Sequence, residues 1–112
     1  MAKLRFIRGT TPTIRITETD DISLAYVSEL LLTMEQGEVE LNKLVESSDF
    51  TDPTYTDITL TQEETLSFAE GKGQYQVRCH MIDRSRVKAT EWKEFEVLRT
   101  LNEEIFDVTQ EG

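Results

Sequence analysis

The stretch that decides the fold is Gln74-Tyr-Gln-Val-Arg-Cys-His-Met-Ile-Asp83. Its apolar side chains Tyr75, Val77, Cys79 and Met81 occupy every second position, and mostly polar side chains lie between them. Successive side chains of a β-strand point to opposite faces, so this alternation predicts a strand with one buried face. It is the strongest strand prediction in the chain.

The same period of two recurs near the N-terminus. Residues 3–8 and residues 13–18 both alternate between apolar and polar side chains. Gly9-Thr-Thr-Pro12 separates them, because proline cannot donate to a strand ladder and restricts the residue before it. We predict two strands here. Whether the first pairs within its own sheet or with a neighbouring molecule stays open.

A β-hairpin is predicted in the middle of the N-terminal half. Residues 29–35 and 39–44 alternate on either side of a short turn that contains Gln36-Gly37. The segment 22–35 has an alternative interpretation, since a helix over residues 23–32 also gives an apolar stripe. The strand is favoured because the glycine turn and the second alternating run follow at once.

A loop and a capped turn follow the hairpin. Residues 46–57 are rich in Ser, Asp, Thr and Pro, which predicts an exposed loop. Thr61 and Glu64 have the spacing of a capping box, in which each side chain bonds the other residue's backbone N–H. We expect a single helical turn there, with Leu66 and Phe68 entering the core.

Two further features are predicted after the strongest strand. Residues 83–86 are a turn candidate, and residues 87–98 form a strand rich in Thr, Trp, Phe and Val. Trp92 and Phe95 are separated by an odd number of positions, so strict alternation would place them on opposite faces of the strand. A bulge between them brings Trp92, Phe95 and Val97 to the same face.

These elements predict an all-β chain of about seven short strands with at most one short helical turn. The fold class is an antiparallel immunoglobulin-like β-sandwich. Residues 1–112 form a single domain, because no repeat, linker or low-complexity stretch divides them. The tail at residues 102–112 either adds an edge strand through residues 105–108 or hangs loose.

The charge balance disfavours several classes of partner. The chain has 12 basic and 22 acidic residues, so the net charge is 12 − 22 = −10, with a pI near 4.5. A negative field of this size repels phosphate backbones and anionic membrane surfaces, so we expect neither nucleic acid nor membrane as a partner. The acids are scattered along the sequence, which favours a solubility role over a dedicated acidic surface.

Cysteine usage and hydropathy predict a cytosolic origin. The single cysteine, Cys79, excludes an intramolecular disulfide. No apolar run approaches the roughly 18 residues of a membrane span. The N-terminal stretch becomes polar after Ile7, so it has no signal-peptide core.

Catalytic chemistry is not predicted. The neighbours Cys79 and His80 point to opposite faces of a strand, so they cannot form a nucleophile–base pair. One His and one Cys cannot build a structural zinc site. A Ca²⁺ site at Asp49 and Asp52 is conceivable, but that loop lacks the alternating ligands and the central glycine of an EF-hand. We expect no catalytic, metal-binding or cofactor-binding residue, no cofactor, and no enzymatic activity.

Other charged or glycine-containing groups have simple explanations. Gly71-Lys-Gly73 is too short for a phosphate loop and predicts a hairpin or inter-strand turn. Solvated surface acids are the expected role of the adjacent carboxylates Asp20-Asp21, Glu63-Glu64 and Glu103-Glu104. The sequence also contains two small basic clusters, which are Lys3, Arg5, Arg8 and Arg15, and then Arg84, Arg86 and Lys88. Each cluster is either a docking patch for an acidic neighbour or a solvated strand face, and the solvated strand face is favoured.

A family resemblance rests on four stretches. They are Phe6-Ile-Arg-Gly-Thr-Thr-Pro-Thr13, Ile58-Thr-Leu-Thr-Gln-Glu-Glu-Thr-Leu-Ser-Phe68, Gln76-Val-Arg78 and Leu101-Asn-Glu-Glu-Ile105. In this order they resemble small, largely uncharacterised proteins encoded by phages and prophages of low-GC Gram-positive bacteria. More loosely, the chain is similar to the immunoglobulin-like N-terminal domain of phage baseplate upper proteins. These motifs are structural, so the resemblance transfers no functional residue.

The resemblance implies a phage-derived structural or docking module, associated with the tail or baseplate. It acts by protein–protein binding to other phage structural proteins or to further copies of itself in a homo-oligomer. It is made in the bacterial host cytoplasm and then joins the virion. The chain has no long C-terminal extension of the kind that receptor-binding baseplate proteins carry, so we expect docking rather than host recognition. The alternative is an acidic DNA-mimic inhibitor of a host DNA-binding protein.

Overall fold

A computed structural model describes residues 4–83, 86–90 and 93–105. Within these residues the chain forms eight β-strands, one short α-helix and two 3-10 helices. The strands are β1 (Leu4–Ile7), β2 (Thr13–Thr17), β3 (Val27–Gln36), β4 (Val39–Glu46), β5 (Tyr55–Thr59), β6 (Gly71–Met81), β7 (Val87–Ala89) and β8 (Lys93–Leu98). The helices are α1 (Gln62–Leu66) and the 3-10 helices Leu24–Tyr26 and Ser47–Asp49.

The strands form two sheets. The larger sheet has the order β1-β8-β6-β3-β4, with β7 pairing beside β8 along the same edge of β6, and the smaller sheet is β2-β5. The prediction of an all-β, sandwich-like fold is confirmed, although the described residues contain three short helical turns and not at most one. The antiparallel expectation is wrong for β1, which pairs with β8 in parallel. These strands are far apart in sequence, so no tight hairpin imposes an antiparallel pairing. The pairing also shows that the first predicted strand belongs to the chain's own sheet.

One hydrophobic core lies between the two sheets. The inward side chains of both sheets belong to a single cluster of buried residues. Three phenylalanines lie within it, because Phe95 stacks on Phe6 at 5.8 Å between ring centroids and meets Phe68 edge-on at 5.2 Å. The cluster comprises Phe6, Ile14, Ile22, Leu24, Val27, Leu30, Leu32, Met34, Ile58, Leu60, Phe68, Val77, Cys79, Met81, Phe95 and Val97.

The hairpin prediction is confirmed, whereas the alternative helix over residues 23–32 is wrong. Helical structure there is limited to the 3-10 helix Leu24–Tyr26, and the long strand β3 begins directly after it. The register shifts between Val27 and Glu29, and the Ser28 hydroxyl donates to the His80 carbonyl at 2.9 Å. This irregularity keeps Val27 and the later apolar residues of β3 in the core, which explains the mixed period of the sequence.

The prediction of a turn at Gly71-Lys-Gly73 is wrong, because these residues are the beginning of β6. Gly73 is paired with Phe95 of β8 and lies in contact with its ring. A side chain at this position would overlap the ring, so the glycine is required by packing across the sheet and not by a change of direction.

The capping box is confirmed. The Thr61 hydroxyl accepts from the Glu64 backbone N–H at 3.1 Å, and the Glu64 carboxylate accepts from the Thr61 backbone N–H at 2.8 Å. Phe68 is fully buried, as predicted, but Leu66 is only partly buried. The buried side chains of α1 are Gln62 and Thr65. Thr65 is retained in the interior because its hydroxyl donates to the Thr10 carbonyl and accepts from the Gly9 N–H.

Three other segments differ from their predictions. The loop 46–57 also contains the 3-10 helix Ser47–Asp49 and the first residues of β5. The predicted strand 87–98 is two strands, β7 and β8, and the predicted bulge at Trp92 lies outside the described residues. In the tail, residues 102–105 form no strand, and the remainder of the predicted edge strand lies outside the described part. Among the described residues, no helix has the length and apolarity needed to cross a bilayer.

Candidate interaction surface

The two neighbouring residues with nucleophilic and basic side chains are separated by the sheet. Cys79 points into the core and is 2% exposed, and this burial raises the pKa of its thiol to about 11. His80 lies on the opposite face, where its Nδ1 is 3.4 Å from Oε2 of Glu29. The strand geometry therefore prevents this pair from acting as nucleophile and base, as the alternation predicts.

The carboxylates considered for a calcium site belong to local turns. The Asp52 carboxylate accepts hydrogen bonds from the backbone N–H and the hydroxyl of Thr54, which lower its pKa. Asp49 lies in the 3-10 helix that follows β4. Among the described residues, no group of three or more His, Cys, Asp or Glu side chains is placed to hold a metal ion.

Arg8, one of the N-terminal basic residues, has a structural role that the sequence did not reveal. Its guanidinium donates to the Phe68 carbonyl from Nε at 2.6 Å and to the Leu66 carbonyl from Nη2 at 2.9 Å. A third donor, Nη1, bonds the carboxylate of Glu103. Arg8 therefore connects the end of β1 to the segment after α1 and to the tail, and it satisfies the Leu66 carbonyl, which the helix end leaves without an intrahelical partner.

The other N-terminal arginines form ion pairs across neighbouring strands. Arg15 binds Asp57 through two nitrogens, at 2.8 Å and 3.1 Å, and stacks on the Tyr55 ring. This hydrogen bonding lowers the pKa of Asp57. Arg5 lies 3.4 Å from Glu96 on the adjacent strand. These contacts favour the interpretation as strand-face residues over a basic docking patch.

The second basic cluster is also engaged within the chain. Arg86 faces Asp83 at 3.8 Å, and the Lys88 ammonium donates to the Asp21 carbonyl at 2.6 Å. Arg84 lies outside the described residues.

The larger sheet has a polar face that is turned away from β2 and β5. We call it the outer face. The strand registers arrange its side chains in rows that cross β7 or β8, β6, β3 and β4. The rows are Val87, His80, Glu29, Glu46; then Ala89, Arg78, Leu31, Leu44; then Gln76, Thr33, Asn42; and then Glu94, Gln74, Glu35, Glu40.

An apolar depression interrupts this polar face. Leu31, Leu44 and Val87 line it together with Glu29, Arg78 and His80, and its volume is about 230 Å³. Leu44 is 59% exposed and Val87 is 62% exposed. Isolated exposed apolar residues are ordinary, whereas these three line one depression.

Two pairs of like charges flank the depression along the β3–β4 hairpin. Glu29 is directly opposite Glu46, and Glu35 is directly opposite Glu40. Side chains opposite each other in an antiparallel pair lie about 5 Å apart at Cβ, so two carboxylates in this position repel. The outer side of the hairpin therefore carries four acids.

The hairpin also provides an open strand edge. In the part of the chain that the structure describes, β4 pairs with β3 along one edge and with no strand along the other. Its one lysine, Lys43, points to the inner side, where its ammonium binds Glu64 at 2.9 Å and 3.1 Å. The acids of β4 therefore have no basic neighbour from their own strand on the outer face.

Sequence reasoning missed this surface. The alternation correctly assigned side chains to two faces, yet it treated the acids as scattered. The signal that was available is the hairpin register, because a turn at Gly37 determines that Glu35 and Glu40 are opposite each other.

No family model matches the chain, and no curated protein matches it.

Proposed function

We propose that this chain is a non-enzymatic structural module that works by binding another protein, and that the outer face of the larger sheet is its docking surface. The observation that carries the proposal is the apolar depression formed by Leu31, Leu44 and Val87. Its lining combines these apolar side chains with Glu29, Arg78 and His80, and protein–protein interfaces likewise combine apolar and polar groups.

A phage setting is part of the proposal. Its support is the resemblance to small phage and prophage proteins and to the N-terminal domain of baseplate upper proteins. In this setting the partners are other tail or baseplate proteins, and the module enters the virion after synthesis in the host cytoplasm. Because both the hairpin and the whole chain are acidic, the partner surface is basic.

The test uses two variants of the outer face. Leu44→Glu combined with Val87→Glu places charges in the depression, whereas Leu101→Glu adds a charge at an apolar residue that is 90% exposed outside the sheets. Each protein is mixed with the purified products of the neighbouring tail genes and analysed by size-exclusion chromatography with light scattering. We expect the unmodified chain and the Leu101 variant to form a complex, and the double variant to form none.

Two results would overturn the proposal. One is a strict monomer that binds none of these proteins, and the other is complex formation unaffected by the double substitution. A DNA mimic makes a different prediction, namely salt-sensitive binding to a basic DNA-binding protein that duplex DNA displaces. Displacement by DNA would support that alternative and exclude the docking function.

A further inference from the structure

The open edge of β4 and the acids beside it lie on the same strand. β4 has eight residues, so its edge is about 26 Å long. An edge strand presents unpaired backbone donors and acceptors, which is the surface to which an extended peptide adds as a further strand. Along this edge the outward side chains are Glu40, Asn42, Leu44 and Glu46.

The charges favour a basic occupant of this edge. Each acid of β4 already has a glutamate on its other side, since Glu40 is opposite Glu35 and Glu46 is opposite Glu29. A strand added along β4 would place one of its side chains opposite each of these positions. A cation there would lie directly opposite one carboxylate of β4, with the glutamate of β3 one strand further away, at about 10 Å. An apolar side chain opposite Leu44 would extend the depression.

We propose that β4 accepts an extended segment of the partner as an antiparallel strand, and that this segment has the pattern basic-x-apolar-x-polar-x-basic. The pattern follows from the order in which an antiparallel strand meets Glu46, Leu44, Asn42 and Glu40. Antiparallel pairing is assigned because it is the more stable arrangement per residue. This inference rests on the proposed docking function and specifies the segment that the partner contributes.

A second copy of the chain fits the edge poorly. Pairing two β4 strands about Lys43 would place Glu40 of one copy opposite Glu46 of the other. Each copy also carries a net charge of −10. Like charges that meet across an interface oppose association, so the charges select a basic partner over self-association.

The test uses short peptides and the intact protein. The matching peptide contains Arg-Thr-Ile-Thr-Gln-Thr-Arg, and the offset control Arg-Thr-Ile-Thr-Gln-Arg-Thr has the same composition with one arginine moved to the other side of the strand. Binding is measured by titration into isotope-labelled protein, following backbone amide shifts. We expect the largest shifts in β4 and an affinity for the offset peptide that is up to about fivefold lower, because one charge pair is lost.

Backbone methylation tests strand addition directly. Alternate amides of an added strand point toward β4, so N-methylation at the odd or at the even positions of the matching peptide must have different effects. We expect one methylated peptide to lose binding and the other to retain it. Equal binding of both methylated peptides, or of the offset peptide, would overturn the inference.

Protein variants test the role of the acids. Glu40→Gln with Glu46→Gln removes the charges beside the edge, and Asp20→Asn with Glu70→Gln removes the same number of charges at exposed positions elsewhere. We expect the first variant to bind the matching peptide about tenfold less tightly and the second to bind normally. Equal weakening in both variants would show that only net charge matters and would overturn the inference.

Failure of the inference can be separated from failure of the docking function. If the Leu44 and Val87 substitutions abolish binding of the whole partner while the peptides do not bind, the outer face is the docking surface and the strand-addition inference is wrong. If the whole partner binds regardless of those substitutions, the docking function itself is wrong.

Discussion

Replacing Gly73 with alanine tests the packing between the strands of the larger sheet. An added Cβ would lie 2.4 Å from Cζ of Phe95 and 2.7 Å from the Glu35 carbonyl oxygen. Phe95 is completely buried, and it contacts the rings of Phe6, Phe68 and Tyr75. The ring therefore has little room to move, and the carbonyl belongs to the neighbouring strand β3.

Both contacts are much shorter than a van der Waals separation, so the cost lies at the upper end of the range for overpacked cores. We expect Gly73→Ala to lower the free energy of unfolding by about 3 kcal/mol. For a chain of this size the melting temperature then falls by about 12 °C. Gly37→Ala is the control, because Gly37 has a positive φ of 59° but open space around it. It is expected to cost only about 1 kcal/mol.

Thermal and urea unfolding followed by circular dichroism measures both variants, and Phe95→Leu extends the test into a double-mutant cycle. Leucine removes the ring atoms closest to the added Cβ, so the double variant should be more stable than the sum of the single effects by about 1 kcal/mol. Additive effects, or a Gly73→Ala cost no larger than that of Gly37→Ala, would refute the steric argument.

Four further outcomes are expected. Arg8→Lys should lower the free energy of unfolding by about 2 kcal/mol in urea titrations, because a lysine ammonium cannot donate to both helix-end carbonyls in a fixed fork. Burial acts to raise the pKa of Glu64, but hydrogen bonds from a lysine and a backbone N–H lower it overall. The ionised Glu64 carboxylate therefore stabilises the fold fully above the ordinary glutamate pKa of about 4.3, and this stabilisation is lost as the pH falls through the lower pKa of the folded protein. Glu64→Gln should therefore make the free energy of unfolding less dependent on pH in the acid range. Cys79 should react with iodoacetamide at pH 8 at least about 100-fold more slowly in the folded protein than in urea, because its thiol is buried and its pKa is raised to about 11. Glu46→Lys should raise the free energy of unfolding by about 0.5 kcal/mol, since it replaces a like-charge pair with an ion pair opposite Glu29.

The local features of the fold could be predicted from the sequence. The period of two identified the hairpin strands and the buried face of β6, and the Thr61–Glu64 spacing identified the cap of α1. Each of these signals involves residues within a few positions of one another. Local backbone geometry is sufficient to determine these features, so the predictions agree with the folded structure.

The features that were mispredicted depend on distant parts of the chain. Gly73 was assigned to a turn because its packing against Phe95 is decided by the pairing of β6 with β8. The contacts of Arg8 with carbonyls about sixty positions away follow from β1 lying beside the end of α1. A single sequence contains no signal for such pairings. Of the candidate surface, only the facing of Glu35 and Glu40 across the Gly37 turn could be read from the sequence, and the depression depends on the pairing of β3, β4, β6 and β7.

The distribution of charged pairs distinguishes the β3–β4 edge from the rest of the sandwich. Where strands meet elsewhere, opposite charges face each other, as in Arg15 with Asp57 and Arg5 with Glu96. Between β3 and β4, glutamate faces glutamate in both pairs. Each such pair costs a few tenths of a kcal/mol while it is hydrated, because water and salt screen the repulsion. The cost to the free domain is thus small beside a typical stability of about 5–15 kcal/mol. A cation on a strand added beside β4 is attracted by the adjacent carboxylate of β4 and, more weakly, by the glutamate of β3 about two strand spacings away. The arrangement is therefore inexpensive for the free protein and favourable in a complex with a basic partner.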